Sequence, residues 1–559
     1  MQARLSAIAG WVAAALCLAP GVGVAATPAA AQSAPFAYAS ITTLQHDMAD
    51  GKLTAQALTR DFITRIDQLD QAGPRVNSVL EINPDAIAIA KRRDADRDKG
   101  RHGPLWGIPI LLKANIDTGD KMPTTAGSLA LMGAPAPTDA TVAAKLRKAG
   151  AVILGKTNLS EWANFRSTHS VSGWSARGGL THNPYVLDRT TCGSSSGSAA
   201  AVAAGFATVA LGTETNGSII CPSAADGDVG IKPTVGLVSR AGIVPISSTQ
   251  DTAGPIARTV RDAAIVLTAI AGPDPRDPAT RNAGKHATNY TKFLNPDALQ
   301  GKRIGVVREL SHDGPAVTQL LDQTIKVLRA HGATVIDPVT IPHVNDYGKA
   351  EMTVLLYQFK HDINAYLATR KGLKVHSLAD LIAFDKAHAA EEMPWFGQEL
   401  FTEAEAKGPL IDPAYKAALA KLEKLAGPEG IDAAMNAHHL DALLAPAQGP
   451  AWRTDLVNGD PDAGSAYGPA AVAGYPSITV PAGFVHGLPV GMLFFGRKWS
   501  EPTLIGIAYA YEQATHARRN PKFLPTVPTP PGIQPWTQKS SASAFPAREP
   551  VATKGSALK

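Results

Sequence analysis

The chain has 559 residues, of which 45% are hydrophobic and 18% charged, and a formal net charge of +5. That apolar share excludes a wholly disordered chain, and the mild positive balance comes without a basic run, so no nucleic-acid partner is expected. Length alone would allow three or four domains, but large α/β enzymes often form one.

Arg4 precedes an apolar run from Ile8 to Leu18, and small residues follow. Val24-Ala25-Ala26 and Ala29-Ala30-Ala31 both suit signal-peptidase cleavage, so residues 1–26 read as an export signal, with cleavage as late as residue 31. The run is shorter than the roughly 20 residues a helix needs to cross a bilayer. No stable membrane span is therefore expected after its removal, and the location expected is periplasmic or secreted. Residues 27–40 read as a flexible lead-in, 41–524 as one domain, and 525–559, rich in Pro, Ser, Thr and Ala, as a disordered tail. Removal of the signal takes Cys17 and leaves Cys192 and Cys221. In an oxidising compartment these either pair or stand as two buried thiols. Neither their spacing nor the scattered histidines make a metal signature, and no metal or cofactor is expected.

Ile41, Leu44 and Met48 mark a short amphipathic helix stopped by Gly51. Thr54 caps a second helix, with Leu58, Phe62, Ile66 and Leu69 on one face. Residues 78–99 read as another helical segment, ending in a charged, solvated face. Gly107 to Lys113 is a buried strand that ends in lysine. Such a lysine either marks the point where the strand reaches solvent or is desolvated, in which case its pKa falls and it can act as a base. Asp139–Lys148 reads as helix, Ala151–Leu154 as strand and Leu159–Phe165 as helix.

The next stretch holds two small polar clusters, Gly193-Ser194-Ser195-Ser196-Gly197-Ser198 and Thr215-Asn216-Gly217-Ser218. Between them Ala199–Ala204 reads as a buried helix and Ala207–Leu211 as a buried strand. The first cluster has three readings from its residues. A Gly/Ser linker is not normally followed at once by an uncharged apolar helix. A phosphate cradle needs Gly-Lys-Ser/Thr, which is missing. A nucleophile elbow, G-x-S-x-G with Ser195 at its centre, must follow a strand, and here it follows a turn and two charges at Asn183–Arg189. That last reading would make the protein an esterase.

Beyond Ser218 helix and strand alternate. Arg303–Val307 is a strand. Val317, Leu320, Leu321, Ile325 and Leu328 form a helix face closed by Gly332, and Thr334–Ile336 is the next strand. Residues 350–440 are mostly helical, a cap over the site, and Ile478–Val480 and Val490–Phe495 return to strand. The alternation predicts an α/β architecture with a mixed or largely parallel sheet.

Four segments together resemble the amidase signature family: GIPILLK ending at Lys113, CGSSSGSAAAVAAG from Cys192, GTETNGSI ending at Ile219, and GIKPTVGLVSRAGIVPISSTQDTAGPIAR from Gly230 to Arg258. The resemblance implies a single large α/β domain, a mixed multi-stranded sheet covered by helices on both faces. It implies a Ser-cisSer-Lys triad, with Lys113 as base, Ser194 as the cis serine and Ser218 as nucleophile. The backbone N–H groups of Thr215, Asn216, Gly217 and Ser218 would form the oxyanion hole. A serine needs an activating base, and a lysine serves only when neutral. Ser194 can relay the proton because a hydroxyl both donates and accepts. Three positions depart from the family's pattern: Ala114 where Asp is common, Asn216 where Gly is frequent, and Ile220 where many members carry Arg. The wording from Glu214 to Ser218 and from Asn158 to Trp162 is most similar to the bacterial peptide amidases, which release ammonia from C-terminally amidated peptides. The activity implied is therefore hydrolysis of carboxamides, of peptides or small molecules, through a serine acyl-enzyme. The alternatives are a general aliphatic or aryl amidase of the same family, the Ser195 esterase, and an exported amide-binding protein without catalysis.

Overall fold

Ser40 and Thr54 begin the first two helices, Ile41–Ala49 and Ala55–Leu69. Each side-chain oxygen accepts from a backbone N–H one turn on, Thr43 at 3.1 Å and Ala57 at 3.0 Å, satisfying a donor that the helix cannot. Leu58, Phe62, Ile66 and Leu69 of the second helix are buried, each worth about 1.5–3 kcal/mol relative to exposure. These elements belong to a computed structural model that describes residues 35–311, 314–461 and 464–528. The expected export signal lies outside the described residues, as does the expected tail beyond residue 528. Residues 35–40 are not a loose lead-in. Ala37 is buried, and the Tyr38 hydroxyl donates to the Ala204 carbonyl at 3.4 Å.

The strands, in chain order, begin with β1 (Val79–Ile82), β2 (Pro109–Lys113) and β3 (Val152–Thr157). Residues 78–99 therefore open as a strand, and only Ala86–Arg97 is helical. The reason is tertiary: β1 adds to β3 as an antiparallel edge, which a helical reading of the local pattern misses. A small hairpin, β4 (Trp174–Ser175) and β5 (Gly179–Leu180), stands apart. There follow β6 (Val209–Glu214), β7 (Val229–Lys232), β8 (Thr252–Ala257), β9 (Arg303–Val306), β10 (Thr334–Ile336), β11 (Ala442–Pro446), β12 (Ser477–Val485) and β13 (Leu488–Phe495).

Among the described residues, eleven of these form one mixed sheet in the order β1-β3-β2-β6-β8-β7-β12-β13-β11-β9-β10. β2 lies parallel to β3 and to β6, while β8 runs antiparallel to β6. One large apolar core joins the sheet to the helices around it, including Thr141–Lys148, Val260–Ile270 and Glu501–Thr515. The chain is thus a single large α/β domain. A second cluster sits under the helical cap. There Leu355, Phe359 and Ile363 of the helix Gly348–Thr369 pack with Phe401 against Trp162 and Phe165. Among the described residues no helix is long and apolar enough to cross a membrane.

Candidate active site

β2 and β6 are parallel neighbours, so both leave the sheet at the same end. Lys113, the last residue of β2, is fully buried there. Its Nζ lies 2.7 Å from Ser194 Oγ, 3.1 Å from Ser195 Oγ, 2.9 Å from Thr213 Oγ1 and 3.4 Å from the Thr213 carbonyl. Burial pushes the ammonium down to about 7, and the charges of Asp251 and Glu214 offset only part of that shift. A buried cation with hydroxyl neighbours lacks the solvation that keeps an ordinary lysine charged.

Ser194 follows a cis peptide bond from Gly193. A methyl group on Gly193 would come within 2.5 Å of Ser160 Oγ, so only glycine fits. Ser195 starts the all-buried helix Ser196–Ala203. Its hydroxyl donates to the Thr213 carbonyl at 3.0 Å and accepts from the Thr213 N–H at 3.1 Å. Ser195 is fully buried, with its oxygen held between β6 and Lys113. It is not an exposed elbow nucleophile, and no strand leads directly into it: β5, the nearest upstream, ends at Leu180. At the far end of the same helix the Ala204 carbonyl accepts from Arg65 Nε at 3.0 Å, and the Val202 carbonyl accepts from Arg258 at 3.0 Å. Cations at a helix C-terminus satisfy carbonyls left without intrahelical partners.

The turn Thr215–Ser218 leaves β6 beside this cluster. The Ser218 carbonyl accepts from the Ser195 N–H at 3.1 Å, which joins the two polar clusters directly. Ser218 retains 7% exposure while Ser194 and Ser195 have none. Glu214 Oε2 accepts from the N–H groups of Ile219 at 2.7 Å and Ile220 at 3.0 Å, fixing the start of the helix Ile220–Ala225. Gly217 has φ +84° and its α-carbon faces the Tyr467 ring with no room for a side chain. Thr215 Oγ1 donates to Asp251 at 2.6 Å, and Asn216 Nδ2 donates to Glu351 of the cap helix at 2.8 Å. Among the described residues, no protein group accepts from the backbone N–H of Asn216, Gly217 or Ser218. Unclaimed backbone donors on one turn are the kind of group that can stabilise a developing negative oxygen.

Cys192 and Cys221 form a disulfide, with Cα atoms 5.7 Å apart. Of the two states open from the residues alone, the paired one is observed. Cys192 lies two residues before Ser194 and Cys221 three after Ser218, so one covalent bond ties both serine loops together.

Leu159–Phe165 is not an ordinary helix. Trp162 and Ala163 have φ of +49° and +55°, making one left-handed turn. Its backbone serves distant partners: Trp162 N–H donates to the Ala126 carbonyl at 2.9 Å and Ser160 N–H to the Ser194 carbonyl at 3.1 Å. Glu161 is fully buried and ion-paired to Arg166 at 3.0 Å. Of the departures from the family pattern, Ala114 is buried and held by backbone bonds to Thr157 and Thr125. Ile220 is buried in a core cluster with Val307 and Val339.

Residues that local sequence reasoning passes over complete the site. Thr213 Oγ1 also accepts from Asn115 Nδ2 at 2.9 Å. Asp251, immediately before β8, accepts from the N–H groups of Ile246 and Ser247 at 2.7 and 2.9 Å, and burial pushes its carboxyl up to about 6. Thr213, Thr215, Asn115 and Asp251 all line a cavity of about 470 Å³. This lies within the range of small-molecule sites.

A family model described as Amidase matches residues 57–505. A protein of Arabidopsis thaliana named "Probable amidase At4g34880" is 43% identical over 497 residues, covering 87% of this chain and 92% of that one. The crystal structure of native peptide amidase from Stenotrophomonas maltophilia superposes with a TM-score of 0.84 at 54% identity, covering 88% of this chain and 99% of that one. A structure of the peptide amidase PAM with the competitive inhibitor chymostatin gives a TM-score of 0.85, also at 54% identity, over 87% of this chain and 100% of that one.

Proposed function

The chain belongs to the amidase family and is a hydrolase acting on amides, and from that premise we propose that it deamidates the C-terminal carboxamides of peptides through an acyl-enzyme on Ser218. The observation that carries the chemistry is the 2.7 Å approach of a fully buried Lys113 to Ser194. A neutral amine has two hydrogens and one lone pair. Ser195 Oγ and Thr213 Oγ1 accept the two hydrogens, at 3.1 and 2.9 Å. The lone pair then faces Ser194, whose proton it takes. Ser194 in turn takes the proton of Ser218 as that oxygen attacks the amide carbon.

The carbonyl oxygen becomes negative beside the N–H groups of Asn216, Gly217 and Ser218, with Thr215 at the head of that turn. Ser194 passes a proton to the leaving nitrogen and ammonia departs. Water attacks the ester by the reverse relay and frees the acid and Ser218. No metal or cofactor enters this sequence of steps.

The peptide-amide substrate is supported by 54% identity to a peptide amidase across 88% of this chain and 99% of that one. Selection for ammonia over a continuing chain requires a wall beyond the scissile nitrogen. Asn216, whose side chain is held by Glu351, is our candidate for that wall. Ile220, buried in the core, is not. Export to the periplasm or medium is supported by the apolar run from Ile8 to Leu18 and by the disulfide, which an oxidising compartment sustains.

Mass spectrometry of an amidated peptide incubated with the protein tests the reading. Conversion to the free acid with an intact backbone is expected, together with labelling of Ser218 by a serine-directed reagent. Backbone fragmentation, or turnover of aryl amides alone, would remove the peptide substrate. A label on Ser195 would remove the triad.

A further inference from the structure

The 470 Å³ cavity, which meets the candidate site through Asn115, Thr213 and Thr215, is lined by the carboxylates Asp117, Asp251, Asp277 and Asp362 and by two cations, Arg240 and Arg276. Arg240 is bound by Asp277 at 2.7 Å, and Arg276, also in the lining, stands 3.7 Å from Asp274. Asp117 is bound by Arg370 at 3.2 Å. Asp251 and Asp362 also line the cavity and have no cation within salt-bridge distance other than His361, whose Nδ1 is 2.8 Å from Asp362 Oδ1. The other oxygen of Asp362, Oδ2, is buried and has no hydrogen-bond partner.

A second, independent observation is Asn115, which lines the same cavity. Asn115 is 3% exposed, and its Nδ2 is fixed by donation to Thr213 Oγ1. That orientation leaves Oδ1 as a buried acceptor with no partner. An unpaired acceptor at this depth is destabilising unless something donates to it. The unsatisfied atoms around the cavity are Asn115 Oδ1, Asp362 Oδ2 and the Thr252 hydroxyl oxygen, and all three can accept from an N–H-bearing cation. Thr215 lines the cavity and also heads the turn that ends at Ser218, so the cavity lies within reach of the acyl part of a bound substrate.

We propose that this cavity is a subsite for a cationic side chain, lysine or arginine, in the acyl part of the substrate, with Asp362 as its counter-charge and Asn115 Oδ1 as a second acceptor. The inference rests on the amidase reading for the location of the scissile bond, but its test does not depend on turnover. Full-length Ser218→Ala protein would be titrated calorimetrically with N-acetyl-lysine amide and with N-acetyl-norleucine amide, which has a similar chain without the charge. About tenfold tighter binding of the lysine probe is expected, the value of one charge-assisted hydrogen bond. In the Ser218→Ala, Asp362→Asn double variant the ratio of the two affinities should fall to within about twofold, while far-UV circular dichroism checks that the variant is folded. Using the ratio cancels any general loss of binding. Equal affinities in the parent, or a lysine preference that survives Asp362→Asn, would overturn the subsite. Failure of the wild-type protein to hydrolyse either probe or any amidated peptide would instead overturn the proposed function.

Discussion

Lys113 must lose its proton before it can accept one, and burial holds its pKa near 7, against an ordinary value of 10.5. The acid limb of the rate profile should therefore have its midpoint near pH 7, with activity falling about tenfold per pH unit below it. Asp251 opposes the desolvation of Lys113. Asp251→Asn should thus move the midpoint to lower pH, whatever it does to the maximal rate, because a nearby negative charge that favours the ammonium is gone. Lys113→Ala should abolish the limb together with activity, by several orders of magnitude. A midpoint that stays fixed in Asp251→Asn, or one that tracks a histidine, would contradict the assignment. Stability has its own sign. Between about pH 7 and 10.5 the unfolded lysine holds a proton that the folded one lacks, so this group makes the fold more stable as pH rises through that window. At this scale Lys113, Ser194 and Ser218 stand out in the sequence through the family resemblance of the contiguous segments that hold them, and the structure brings Lys113 against Ser194. Thr213 and Asn115 do not, because the contact between them depends on the register of β2 against β6, which no local pattern carries.

The helices and strands were legible where periodicity and caps agreed, as at Thr54 and the face from Leu58 to Leu69. They were misread where backbone groups serve distant partners. The left-handed turn at Trp162–Ala163 gives its N–H to Ala126, and β1 exists only as an edge on β3. The disulfide is another feature whose formation is decided across elements. Cys192 and Cys221 are 29 residues apart in sequence, and a loop of that length implies about 3–4 kcal/mol of stabilisation on the chain-entropy model. Reduction, or Cys192→Ser with Cys221→Ser, should lower the thermal midpoint. It should also lower kcat more than it raises KM, because the bond spans the two loops that carry Ser194 and Ser218. A reduced protein with unchanged melting and unchanged kcat would show that the remaining contacts of these loops suffice.

The described residues form one domain, and the candidate site stands on the third and fourth strands of its sheet, β2 and β6, with β8 next to them. The alternation of helix and strand made the α/β class readable. The strand order was not, since it arises from long-range pairing such as β12 with β7. That order has a consequence for local opening. Fraying of a sheet begins at its outer strands, here β1 and β10, whose burial is partial. The amides of β2 and β6 belong to the most protected class and exchange with solvent only when the domain opens as a whole. In a urea titration, loss of activity and loss of tryptophan fluorescence should therefore fall on one curve, and deuterium should enter β10 long before it enters the strand that ends at Lys113.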